Sequence, residues 1–458
     1  MKKIINKTLT VTGLLALSLI ANSSFAKVSV SQAEQLGKTL TPLGAELAGN
    51  KAGTIPPWIG GLNSTNTIKS QDSGRPENLY KEDKPLFTIS NDNLGQYKAN
   101  LSAGQLAMFA KYQDYKMPIY QTRRSAAYPK KLYPVIKSNA TSASLLQDGQ
   151  GGLENFHITI PFPIPKTGLE VIWNHITRYR GGAFERTGSV MPVQADGSYN
   201  TIKMSDTLVW PEYFTTGRHE EKDDNVLFYY LQKVTAPARL TGSALLVHAT
   251  IDQVKEGRRV WVYNSGQRRV RRAPGLAYDG PGNGSDGLRT ADDYDMYNGS
   301  PDRYNWKLLG KKEMYIPYNA NKLMDTDTKY ASIINKGHLN SDYLRYELHR
   351  VWEVEATIKK GQRHIYAKRT FYIDEDTWSA AVIDQYDNRD VIWKLSEGHT
   401  LQFYDVDTNY LAVHALYDLV SGRYLVSGLS NEEPKSITWD VPASRRQFTS
   451  GALRRAGR

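Results

Sequence analysis

Residues Arg345 to Ile358, a short Lys359-Lys-Gly-Gln362 break, and Arg363 to Ile373 alternate apolar and polar side chains with a period of two. That pattern demands two long strands with one apolar face. With Lys360-Gly361 as a two-residue loop, Leu348 faces Ile373, Val354 faces Ala367 and Ala356 faces Ile365. On the other side Glu353 faces Lys368, an opposite-charge cross-strand pair. One register satisfies both faces. It also sets Arg350 opposite Phe371 and Arg369 opposite Trp352, so two arginines turn toward the apolar side. Two readings explain them. They form buried ion pairs with structural carboxylates, or they line an apolar cavity and meet the head of an amphipathic ligand. In the second reading Leu348, Trp352, Val354, Phe371 and Ile373 contact the ligand's tail.

A fourteen-residue strand spans roughly 45 Å, and strands that long in a wide sheet twist and curl. A curled sheet with one apolar face packs on something or encloses something. The rest of the chain supplies both strands and covers. Gln32–Leu40 reads as a short amphipathic helix, and Ser102–Tyr115 as a second, with Ser102 as its cap. From about residue 155 the pattern is β, with strands expected at Asn155–Pro163, Val190–Met204, Val226–Val234, Ala244–Asp252 and Arg259–Tyr263. After the long hairpin come Trp378–Tyr386, Val391–Leu395, Tyr410–Val420 and Tyr424–Ser427, joined by short turns as in an antiparallel meander. Residues 274–301, rich in Gly, Asp and Pro, read as a long loop.

The expected fold is therefore mainly β: a large curved antiparallel sheet, an unclosed barrel, with helices plugging or covering the concave face. Its expected parts are a signal peptide (1–26), an N-terminal helical and extended segment packing on the sheet (27–150), the sheet itself (151–440) and a basic, frayed tail (441–458). The leader has Lys2, Lys3 and Lys7, an apolar run from Thr10 to Ala21, and Ser24-Phe25-Ala26 as cleavage site. The chain has no cysteine, so it is neither a lipoprotein nor disulfide-bonded. Both facts fit a periplasmic location. The formal charge of +11 favours an acidic ligand or an anionic surface; no nucleic-acid partner is expected, for want of a binding module.

The chemistry-bearing motifs are sparse. Nucleophile elbow, phosphate loop, dinucleotide fingerprint and zinc-protease signature are all missing. His349 and Glu353 share a strand face without an evident third ligand. Asp279 to Asp286 has the look of a calcium loop but lacks an oxygen ligand at its third position and a twelfth-position glutamate. No metal, cofactor or catalytic residue is expected, and the chain is not expected to be an enzyme. The segment Arg258-Arg-Val-Trp-Val-Tyr-Asn-Ser-Gly-Gln-Arg-Arg-Val-Arg-Arg272 forms a basic hairpin. Arg258, Arg259, Arg268, Arg269, Arg271 and Arg272 either protect a solvated edge or dock an acidic partner or anionic head group.

Several longer motifs carry a family resemblance: Leu40-Thr-Pro-Leu-Gly-Ala-Glu-Leu-Ala-Gly-Asn50, Gly53-Thr-Ile-Pro56, Thr122-Arg-Arg-Ser125, Pro161-Phe-Pro-Ile-Pro165, Gly266 to Pro274, Trp306 to Tyr318, and the long hairpin. Together they resemble the periplasmic proteins known as domain of unknown function 1329, over roughly residues 30–430. The resemblance implies a fold similar to the carriers and receptors of lipoprotein sorting, with helices plugging an apolar concavity. It also implies company with a resistance–nodulation–division type exporter of the inner membrane and an outer-membrane protein. The expected function is a non-enzymatic periplasmic carrier or receptor for a lipid or other hydrophobic compound. The alternatives are a structural adaptor of an export complex, or a periplasmic polysaccharide-binding or polysaccharide-active protein that uses its many aromatics as stacking platforms.

Overall fold

A computed structural model describes residues 27–65, 73–146, 152–273 and 278–457; the leader assigned to residues 1–26 lies outside them. In chain order the strands are β1 (Phe87–Ile89), β2 (Met117–Ile119), β3 (Ser144–Leu145), β4 (Leu153–Glu154), β5 (Ala183–Val193), β6 (Ile202–Val209), β7 (Val226–Ala236), β8 (Ala244–Thr250), β9 (Arg259–Asn264), β10 (Arg269–Arg272), β11 (Tyr304–Pro317), β12 (Tyr346–Ile358), β13 (Lys368–Asp374), β14 (Ala380–Tyr386), β15 (Ile392–Phe403), β16 (Thr408–Asp418), β17 (Tyr424–Ser427) and β18 (Ile437–Trp439). The helices are α1 (Val30–Ala33), α2 (Ala103–Lys111), α3 (Tyr133–Ser142), α4 (Gly168–Thr177), α5 (Tyr330–Ile333) and α6 (Ser450–Ala456).

All strands but β3 and β4 form one sheet in the order β1-β2-β12-β13-β14-β15-β16-β17-β5-β6-β7-β8-β9-β10, with β11 added to β12 and β18 to β5. Pairing is antiparallel apart from one parallel bridge, Tyr346 to Ile119. The sheet is not closed. Its curvature follows from what one loop touches. Asp292 bonds Arg369 on β13, and Asn298 bonds Arg258 just before β9. Six residues reach roughly 20 Å at most, whereas β13 and β9 are nine strand spacings apart, roughly 43 Å in a flat sheet. Side chains extend that reach at both ends, but the stretch begins in the 3-10 turn Ala291–Asp293 and is not extended, so the sheet curls around the loop.

The long hairpin forms with a different register. Trp352 pairs with Ile373, Val354 with Phe371 and Ala356 with Arg369, while Glu353 pairs with Tyr372 rather than Lys368. The slip is four residues, an even number, so each side chain keeps its expected face. Its cause is residues 359–367, which leave the ladder so that His364 and Tyr366 can reach Asp292 and Asp293.

Other differences are local. The strand expected at Asn155–Pro163 is irregular beyond β4, in a segment interrupted by Pro161, Pro163 and Pro165. Val190–Met204 is two strands, β5 and β6, with a turn closed by Gln194 and Ser198. The first helix is only α1. Residues 441–457 are not frayed: α6 packs on β8, β9 and β10 with Leu453 fully buried, and Arg445 pairs with buried Asp223.

Two helices cover opposite faces of the central strands. Leu395 and Asp384 are cross-strand partners on the face opposite to Val354, and α2 sits on them. Ser102 Oγ and the Gly104 amide donate to Asp384 at 2.8 and 3.0 Å, and Gln105 Nε2 donates to Glu397 at 3.2 Å. Burial pushes both carboxyls up to about 7. On the Val354 face lies α4, all ten of its residues buried. Its first residue has to be glycine: a Cβ on Gly168 would stand 2.9 Å from the Lys307 backbone and from Val354.

Candidate functional site

The inner face is the one that carries Val354, Phe371 and Ile383 and continues through β16, β5 and β7 to β9. It is filled by α4 and by the 278–300 loop. The helices expected near the N-terminus do not fill it; α4, which follows a proline-rich stretch, does. The plug is pinned by charge. Arg178 Nη2 donates to Asp295 at 2.6 Å, and Arg180 takes the other oxygen of the same carboxylate. His175 Nδ1 accepts from the Ala380 amide at 3.0 Å, so its Nε2 carries the proton and donates to the Asp295 carbonyl. Burial holds this imidazole down to about 3 and therefore neutral.

Each residue expected to line a cavity has a definite place. Val354, Phe371 and Ile373 are fully buried in the main apolar core, with Leu348 nearly so. The Phe371 ring meets Tyr297 of the loop edge-on at 5.4 Å. Half-buried Trp352 stacks on Trp378 and lies under the Lys311 ammonium. Arg369 is 0% exposed. It donates to Asp292 at 2.7 Å, with Asp293 3.6 Å away and three tyrosine rings around it. Arg350 Nη1 donates to Glu375 at 3.1 Å and Nη2 to the Ala48 carbonyl. Both arginines thus meet carboxylates of the chain itself.

Arg350 belongs to a larger network around the Asp374-Glu-Asp-Thr377 turn. Arg124 spans both oxygens of Asp376, at 2.9 and 2.7 Å, and Lys311 reaches Glu375 at 2.7 Å. His349 lies 3.2 Å from Glu347 and within 3.9 Å of Asp374 and Asp376. Burial opposes its charge, but the Asp376 and Glu347 carboxylates outweigh that and hold the imidazolium up to about 9. The acids near His349 are thus Glu347, Asp374 and Asp376 rather than Glu353; Glu347 faces Arg345, Asp376 faces Arg124, and Asp374 accepts from Thr377 Oγ1. The loop acids likewise serve arginines: Asp292 and Asp293 face Arg369, and Asp295 faces Arg178 and Arg180.

The other arm of the inner face is different. Between β7, β8, β9 and residues 281–298 lies a cavity of about 80 Å³. Phe228, Tyr230, Leu245, Val247 and Val260 make its apolar wall, and Arg258 and Arg289 line it. Pro281 and Asn283, both exposed, stand at its rim. Arg258 Nη2 donates to the carbonyl and to Oδ1 of Asn298. Of the hairpin's six arginines, Arg258 alone lines this cavity. Arg259 pairs loosely with Glu256, 3.5 Å away. Arg268, Arg269, Arg271 and Arg272 are exposed on or beside the edge strand β10. The sequence contained Arg289 and the apolar strands, but nothing in it brought them together.

The model of the family described as protein of unknown function, DUF1329, matches residues 88–454. The chain belongs to this family. An uncharacterized protein of Pseudomonas aeruginosa is 54% identical over 455 residues, covering 98% of this chain and 99% of the relative. Among solved structures, a DUF1329 family protein from Desulfovibrio piger aligns with a TM-score of 0.41 at 17% identity, over 60% of this chain and 92% of that one. A LolA superfamily protein from Nitrosomonas europaea aligns at 0.38 and 12%, over 62% of this chain and 98% of that one. Among the described residues of this DUF1329 protein, no helix is long and apolar enough to cross a membrane.

Proposed function

We propose that this DUF1329 protein is a non-enzymatic periplasmic carrier or receptor for a hydrophobic compound. One observation carries the reading: the open sheet keeps an apolar-walled cavity on its inner face, covered by a loop rather than by sheet pairing. A loop cover can move without breaking the sheet's ladder, and apolar burial at roughly 25 cal/mol per Å² supplies the affinity. In this reading Val354, Arg369 and Phe371 hold the plug, Leu348, Arg350, Trp352 and Ile373 support the sheet beside it, and the cavity beside β7–β9 takes the ligand. A resistance–nodulation–division type exporter and an outer-membrane protein are the partners proposed for delivery. Solvent extraction of the purified protein followed by mass spectrometry should release a hydrophobic compound in reproducible stoichiometry. A protein that is empty and also binds no hydrophobic probe would end this reading.

The adaptor reading draws on the four exposed arginines of the 268–272 segment, which have no carboxylate partner among the described residues. Changing all four to Glu should then abolish co-purification with the outer-membrane partner and leave ligand content unchanged.

A further inference from the structure

The inner face carries arginines on both arms. Arg178, Arg180, Arg186 and Arg369 each meet a carboxylate. Arg258 and Arg289 do not: among the described residues no carboxylate lies within ion-pair reach of either. The unused hydrogen-bonding capacity around the cavity is one-sided. Arg258 Nε, Arg289 Nε and Asn298 Nδ2 are buried donors without an acceptor. The Asn298 amide is fixed in this orientation because its oxygen accepts from Arg258. One side-chain acceptor of the lining, Gln232 Oε1, is already used by Asn283 at 2.8 Å. A buried donor left without an acceptor costs about 1–3 kcal/mol, more for a charged group. Arg180, Arg186 and Arg369 also leave Nε unpartnered but carry a carboxylate on the guanidinium, whereas Arg258 and Arg289 have neither an Nε partner nor a carboxylate among the described residues. An acceptor-only group satisfies all three donors around the cavity.

We infer that this cavity recognises the anionic head of a hydrophobic monocarboxylate, with Arg289 and Arg258 on the carboxylate and the Val247, Leu245 and Phe228 wall against the first carbons of its tail. The inference rests on the carrier reading and narrows it to a ligand class. A carboxylate fits the planar guanidinium fork. The volume of about 80 Å³ suits a head and a few methylenes, so the remaining tail leaves past Pro281 and Asn283.

The test is calorimetric titration of the mature protein with decanoate, decanol and inorganic phosphate. Decanoate should bind at least tenfold tighter than decanol, and phosphate should not bind measurably. Arg289→Leu should lower decanoate affinity about ten- to hundredfold and leave decanol unchanged. Arg289→Lys, which keeps the charge, should recover part of the loss. Val247→Trp, which fills the cavity, should abolish binding of both. Should Arg289→Leu fail to fold, the Lys and Trp variants still decide. Equal binding of decanoate and decanol would overturn the head-group assignment and leave the carrier reading standing. Phosphate binding as tightly as decanoate would overturn the monocarboxylate class. Binding of no hydrophobic probe at all would overturn the carrier reading itself.

Discussion

The two arms of the inner face use the same residue to opposite ends. On the β12–β14 arm, Arg369 is sealed among Asp292, Asp293 and three tyrosine rings. On the β7–β9 arm, Arg289 faces an apolar wall, with Asp293 and Asp206 acting on it only from beyond ion-pair distance among the described residues. A buried arginine is therefore not a functional sign in itself. What distinguishes the arms is whether the chain supplies the counter-charge. Where it does, the pair fixes the plug to the sheet; where it does not, the counter-charge has to come from outside.

Substitutions that remove one partner break the comparison most visibly. Arg369→Leu strands two buried carboxylates and should cost about 3–5 kcal/mol in a denaturant titration. Arg289→Leu strands none and should change stability by less than about 1 kcal/mol, or raise it. Equal losses would mean that Arg289 has a structural partner after all. Apolar truncations sharpen the contrast. Phe371→Ala opens a hole in a filled wall, at about 3–5 kcal/mol. Val247→Ala enlarges a void already present, and should cost no more than the transfer of its methyl groups, roughly 1.6 kcal/mol.

The smallest effect is the pH dependence, which has opposite signs at different sites. The Arg369 and His364 charges outweigh burial and hold the Asp292 carboxyl well below its usual range. Its contribution is present above the ordinary carboxylate pKa and lost as pH falls below it. Asp384 and Glu397, beneath α2, are raised to about 7 by burial. Their contribution is full below the ordinary carboxylate range and lost as pH rises through 7. Between pH 5 and 8 the melting temperature of the unsubstituted protein should therefore fall, and Asp384→Asn should flatten that fall. A parallel curve would remove Asp384 from that account.

The strands were largely legible, because alternation reports which face is buried. Tyr424–Ser427 forms as expected, and the faces of Val354 and Phe371 survive a four-residue slip. The slip itself was not legible, since its cause is a pair of aspartates some seventy residues upstream in the chain. Helix α4 was missed for a physical reason. It is buried all round, its polar side chains Glu170 and Asn174 satisfied inside the fold rather than by solvent, so it lacks the exposed polar face by which a surface helix is recognised. The available signal was its start: Thr167 and Glu170 form a capping box after a run of prolines. The cavity was illegible because its walls and its arginines meet only through the curl of the sheet.

Strand β5 pairs at Val193 with Tyr424 and at Arg186 with Ile437. The two halves of the sheet are thus sewn together by segments more than two hundred residues apart. Such long-range pairing carries a large loop-closure cost and forms late. A chain delivered N-terminus first presents α4 well before β12 and β13, the strands that enclose it. Synthesised N-terminus first, the chain can complete this fold only when its last fifty residues have been made.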